Sequence, residues 1–196
     1  MKKKQKKRGL WLGLLVILLG LGAWGKWVGP YVSANPDQTE QAAPNQTEVF
    51  ISQIGEEARE LGQTYDLYAS VMIAQAVLES QSGQSRLATA PNYNLFGMKG
   101  SYNGQSVILP TQEDDGTGNL HTIDAAFRAY PSYWESLIDY AQVLQQDHFW
   151  GAHKSMTTSY QEATQALIGV YATDTRYAEK LDALISQYQL TQYDTP

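Results

Sequence analysis

Cysteine is absent from the 196-residue chain. Its absence excludes a disulfide framework, a thiolate nucleophile and a cysteine-ligated zinc site. It leaves the compartment open, because a chain of this size can bury an adequate core without cross-links. Histidine is nearly as scarce. His148 and His153 are five apart, not the three or four that share a helical face, and His121 is isolated, so no metal site is expected. No Gly-x-Ser-x-Gly marks a nucleophile elbow, and no glycine-spaced run ending in Lys-Ser/Thr marks a phosphate loop. No cofactor is expected. Acids are missing from residues 1–30, which carry seven basic groups. Residues 31–196 carry seven basic and all 20 acidic groups, a net charge of −13. A body of that sign repels polyphosphate, which argues against nucleic acid as a partner.

Long apolar runs are missing too, with one exception. The basic block Lys2–Arg8 leads into Leu10–Trp24, which holds no charge. Continued past Lys26 to Val28, the run just spans a bilayer's hydrocarbon layer as a helix, with Lys26 snorkelling and Trp24, Trp27 and Tyr31 at the interface. The lysines hold that end in the cytoplasm, so the remainder is exported. Val32-Ser33-Ala34 also suits signal-peptide cleavage, and both readings stay open. The expected organisation is a basic cytoplasmic tag at 1–9, a transmembrane anchor or signal peptide at 10–32, a polar linker with two prolines at 33–47, and one folded domain at 48–193.

What the body does contain is helical periodicity interrupted once. Phe50, Ile51, Ile54, Ala58 and Leu61 recur at helical spacing within residues 47–61. Residues 68–80 are apolar almost all round, as a buried central helix would be. Six glycines between 82 and 120 mark turns around two strand-like runs, 106–110 and 121–128. Helices resume behind two Ser-x-x-Glu capping patterns, Ser132–Glu135 and Ser159–Glu162, reaching about 146 and 170, and a last helix covers 175–188. The fold class is α+β, mainly helical with a small β-lobe. A monomer is expected.

Glu79 is the most informative residue, a carboxylate ending the apolar helix just before Ser80-Gln81-Ser82-Gly83. Apolar surroundings and the negative end of the helix dipole both disfavour its ionised form, as a general acid requires. An exposed glutamate marking the helix end would look the same in sequence. A second carboxylate would come from Glu113, Asp114, Asp115 or Asp124; Asp114 and Asp115 suit a hairpin tip, while Glu113 lies where a strand leaves Pro110-Thr111 and could point into a cleft. Phe96, within Asn94–Gly100, suits either a sugar site or the core.

Four blocks occur in order: AQAVLESQSGQSRLA (74–88), YNLFGMKGSYNGQSV (93–107), AAFRAYPSYWESLIDYA (125–141) and VYATDTRYAEKL (170–181). Together they resemble the endo-β-N-acetylglucosaminidases of glycoside hydrolase family 73, over about residues 48–193. The resemblance implies a lysozyme-like fold and a peptidoglycan hydrolase, with glycan strands as the substrate partner. It implies Glu79 as the acid, Glu113 as a second carboxylate and Tyr171 as a tyrosine near the cleavage point. Asn94, Phe96, Tyr130 and Tyr177 become candidate substrate-binding residues. One departure is plain: the family pattern after the acid is closer to Ser-Gly-Trp-Gly, so an aromatic is missing here.

Overall fold

The computed structural model describes residues 44–114 and 120–196, with the side chains of 112–114 and 120 outside that description. The basic tag, the expected anchor and nearly all of the linker therefore lie outside the described residues. Among those described, no helix is long and apolar enough to cross a membrane.

Helix α1 (Gln46–Thr64) starts at a capping box. Asn45 accepts the Glu48 amide at 3.0 Å and Glu48 accepts the Asn45 amide at 2.7 Å, which satisfies two of the orphan donors at the helix start. Helix α1 thus starts inside the segment expected as linker. Helix α2 (Ala69–Ser80) is the centre of the domain, with every residue from Ala69 to Val77 buried. Around it pack Phe50, Ile54 and Ala58 of α1, Leu137 and Tyr140 of α3 (Tyr133–Val143), the short α4 (Tyr160–Ala166), and Leu181 and Ile185 of α5 (Tyr177–Gln187).

Strands β1 (Ser106–Asp114) and β2 (Leu120–Arg128) form one antiparallel hairpin, with Ser106 opposite Arg128 and Glu113 opposite His121. β1 runs past Pro110, where the sequence suggested an end. A two-stranded sheet has only edges, so the missing amide of Pro110 costs no ladder bond if it faces outward. Among the described side chains of the hairpin, Leu109 and Phe127 are the buried large apolar ones, while Ile108 is 61% exposed. Backbone bonds add a hold at its base, Gly100 N–H to Ala126 C=O at 2.9 Å and Arg128 N–H to Met98 C=O at 2.8 Å.

Helix α4 stops at Ala166, short of residue 170, because Gly169 sits at φ +80° and turns the chain back. The Ser132 cap also differs from a capping box. Its hydroxyl takes the Trp134 amide at 3.1 Å while donating to Glu135. The C-terminus closes the body in a way no local pattern announces. The start of α2 has no side-chain cap of its own, and Asp194 Oδ1 accepts the Ser70 amide there at 2.9 Å.

Candidate active site

The end of α2 is built by its own polar residues. Ser80 Oγ donates to Ala76 C=O and accepts the Gly83 amide at 2.7 Å, while Ser82 N–H closes on Val77 C=O at 2.9 Å. Gln81, Ser82 and Gly83 follow one another at φ 54°, 55° and 77°. Left-handed geometry costs a non-glycine residue about 1 kcal/mol or more, and persists only where the surroundings over-determine it. Gly83 has no substitute: a Cβ there would lie 2.7 Å from Phe50 Cδ2. Ser82, at the position of the expected family tryptophan, is turned inward to bond Thr47 Oγ1 at 2.8 Å.

This turn leaves Glu79 partly exposed as a residue but with its carboxyl group enclosed. Oε1 accepts the Tyr177 hydroxyl at 2.8 Å, whereas Oε2 is buried with no hydrogen-bond partner. Burial pushes the carboxyl pKa up from 4.5 to about 7, against the opposing pull of the Tyr177 hydroxyl and the Lys180 ammonium. Desolvation is thus the leading cause. Lys180 is itself held 2.5 Å from Asp174. A carboxyl group with a pKa of about 7 and one oxygen uncommitted to protein has the protonation state that a general acid requires.

Two aromatic neighbours come from the fourth block. Tyr177 opens α5 and bonds Glu79 directly. Tyr171 stacks on Tyr177 with ring centroids 5.9 Å apart, and its buried hydroxyl donates to Phe96 C=O at 3.3 Å. Burial holds both phenols well above their usual range, so they stay neutral. The other expected binding residues are packed inside. Phe96 is fully buried and stacked on Tyr140 at 4.0 Å. Asn94 gives both amide protons to the carbonyls of Met98 and Arg128, at 2.9 and 2.8 Å. Tyr130 donates to Asp139 at 2.6 Å, and Asp139 pairs with Arg128 at 2.5 Å. As placed here, Asn94 ties the hairpin base to the 94–98 loop, and Tyr130 with Arg128 ties it to Asp139 of α3. Glu113 lies in β1, and its side chain is outside the described residues.

Sequence reasoning passed over Gln75 and Tyr140. Gln75 Nε2 donates to the Tyr177 hydroxyl at 3.0 Å, and the Tyr140 hydroxyl donates to Gln75 Oε1. The available signal was Gln75 as the one amide inside an apolar helix, four residues before Glu79 and so on its face. Nothing local pointed to Tyr140. Among the described residues, no cluster of three acidic or histidine side chains could hold a metal.

A mainly helical body with one small hairpin and a proton-holding glutamate at a buried helix end defines the class of lysozyme-like glycosidase scaffolds. The likeness to known proteins agrees with that class. The chain belongs to the glucosaminidase family, described as mannosyl-glycoprotein endo-beta-N-acetylglucosaminidase, whose pattern matches residues 55–190. It is 47% identical over 160 residues to a probable N-acetylmuramidase of Lactococcus lactis subsp. cremoris, covering 79% of this chain and 36% of the relative. It is 36% identical over 201 residues to the exo-glucosaminidase LytG of Bacillus subtilis, covering 98% of this chain and 70% of that one. The crystal structure of the catalytic domain of the autolysin Auto from Listeria monocytogenes superposes with a TM-score of 0.73 at 49% identity, covering 78% of this chain and 90% of that domain. The chain spans 36% or less of the length of several curated relatives.

Proposed function

We propose that this domain is a peptidoglycan hydrolase that cuts the β-1,4 bond after N-acetylglucosamine, with Glu79 as the general acid. Membership of the glucosaminidase family supports the substrate class. The observation that carries the reading is Glu79 itself, with a pKa of about 7, Oε1 held by Tyr177 and Oε2 without a partner. Departure of a sugar needs a proton on the glycosidic oxygen, and a half-protonated carboxyl near neutrality supplies it. Three routes complete the reaction: Glu113 activating water, the substrate's 2-acetamido group attacking the anomeric carbon, or Tyr171 steadying the reacting sugar. The stacking of Tyr171 on Tyr177 favours a supporting role for its ring.

In this reading the domain acts outside the cell, delivered by the segment at 10–32. It also works as a monomer in this reading.

The test is release of reducing N-acetylglucosamine ends from purified cell wall. Glu79→Gln abolishes it, whereas a variant as active as wild type overturns the assignment. Glu113→Gln with anomer analysis of the products separates the base from acetamido assistance. The relative called a probable N-acetylmuramidase motivates a second reading on the same acid. Mass spectrometry distinguishes the two, because N-acetylmuramic acid at the new reducing end would replace the first reading by the second. Binding to wall without turnover would instead mark a glycan-binding or scaffold protein on a hydrolase fold.

A further inference from the structure

Glu79 is the end of a chain of hydrogen bonds that begins in the core. Tyr140 donates to Gln75 Oε1, Gln75 Nε2 donates to the Tyr177 oxygen at 3.0 Å, and Tyr177 donates to Glu79 Oε1 at 2.8 Å. Gln75, Tyr140 and Tyr177 are each 3% exposed or less, so the run is closed to water.

A glutamine in such a run has two orientations that exchange its oxygen and nitrogen, and the bonding pattern chooses between them. With the amide reversed, Gln75 donates to the Tyr140 oxygen, and the Tyr140 proton then has no acceptor among the described residues. A buried donor left unpaired is costly, so the Tyr140 hydroxyl sets the amide. The consequence reaches Glu79. Tyr177 already accepts from Gln75, so its proton goes to Oε1, and an oxygen receiving that proton is the acceptor of the pair. The neutral acid then carries its own proton on Oε2, the oxygen without a protein partner. In the reversed run the Tyr177 proton turns to Gln75, and the acid proton is drawn onto Oε1 and spent on Tyr177.

We infer that Tyr140 and Gln75 are positioning residues that set the direction of this run, so that the transferable proton of Glu79 resides on Oε2. The inference rests on the hydrolase reading for its use but not for its geometry. The same bond from Tyr177 stabilises the carboxylate left after proton transfer, so one direction serves both halves of the step.

The groups facing Glu79 are Tyr140 from α3, Tyr171 from the turn after α4, and Tyr177 and Lys180 from α5, with Asp174 paired to Lys180. Burial keeps the three phenols neutral, and Asp174 is held below its usual carboxylate range by Lys180. These phenols therefore stay neutral and Asp174 stays ionised while Glu79 titrates.

The test compares wild type, Tyr140→Phe, Tyr177→Phe and the double variant by carbon-13 NMR titration of the Glu79 carboxyl and by wall hydrolysis. Tyr140→Phe frees the amide to reverse, which withdraws a donor from the carboxylate. Its pKa rises by about one unit, and kcat falls by about tenfold with KM unchanged. In the Tyr177→Phe background, Tyr140→Phe adds nothing, because its effect runs through Tyr177. Gln75→Met keeps the volume and removes the acceptor that competes for the Tyr177 proton, so that proton stays on Glu79 and the upward shift is absent; a rise as large as about one unit there overturns the inference, which decides the matter if Tyr140→Phe fails to fold. An unmoved titration in Tyr140→Phe, or an effect that persists undiminished without the Tyr177 hydroxyl, overturns the inference. The titration needs no turnover, so a wild type that leaves wall intact would overturn the hydrolase reading while the NMR result still decides the relay.

Discussion

Replacing Glu79 by glutamine should stabilise the protein, and only above the acid range. Unfolding returns the Glu79 carboxyl to water and to a pKa of about 4.5, whereas in the folded protein it stands at about 7. Between those values the native state binds the proton more tightly than the unfolded chain does. Stability therefore falls as pH rises through that window. A gap of about 2.5 units at about 1.36 kcal/mol each gives a penalty of about 3 kcal/mol, complete above pH 7 and absent below pH 4.5. Glutamine has no charge to bury and retains an oxygen for the Tyr177 hydroxyl. Urea unfolding of both proteins from pH 4 to pH 8 isolates the contribution, because every other titrating group cancels in the difference. The stability difference should swing by about 3 kcal/mol in favour of glutamine across that range, or roughly 10 °C in melting temperature for a body of this size. A difference flat with pH would refute the buried-acid account, and a swing in the opposite direction would mean that the Tyr177 and Lys180 contributions outweigh desolvation.

The same group sets the activity profile: kcat/KM for wall hydrolysis should fall as pH rises through about 7, and a profile level to pH 9 would remove Glu79 as the acid. Gly83→Ala should cost about 2–3 kcal/mol in urea unfolding, since it adds a side chain at φ 77° with its Cβ 2.7 Å from the buried Phe50 ring. Asp194→Ala should cost about 1 kcal/mol by removing the distant cap of α2, and an unchanged unfolding midpoint would show the Ser70 amide to be satisfied by water. The net −13 of residues 31–196 should be repelled by anionic wall polymers, so activity on native wall should rise with moderate salt; a flat or falling response counts against repulsion.

The helices were the most legible part of the chain, because each needed only its own periodicity and the contrast between apolar and polar faces. Residues 68–80 read as a central helix and α2 is one, since a segment apolar on all sides has no stable place at the surface. Boundaries were read less well, for physical reasons particular to each. The Asn45–Glu48 box lay in a stretch whose composition resembled a linker, and α4 ended early at a glycine whose left-handed angle periodicity does not register. The strand beyond Pro110 was hidden by a rule about proline that a two-stranded sheet does not enforce. Phe96 was legible as a core or sugar-site aromatic and Asn94 and Tyr130 came to attention through family resemblance, but what surrounds each of them was visible only in the folded structure.

By itself, the order of residues determined that an apolar helix would end on a carboxylate, that a turn-rich hairpin would interrupt the helical body, and that no cysteine or histidine pattern offered competing chemistry. These are local properties, set by spacing and residue type. Tertiary structure alone decided which groups meet Glu79. Tyr177 approaches from 98 residues away, and Gln75 is bonded by Tyr140 from 65 residues away. The proton of Glu79 is governed by desolvation and by the direction of those bonds, and both come into being only when α3 and α5 close over α2.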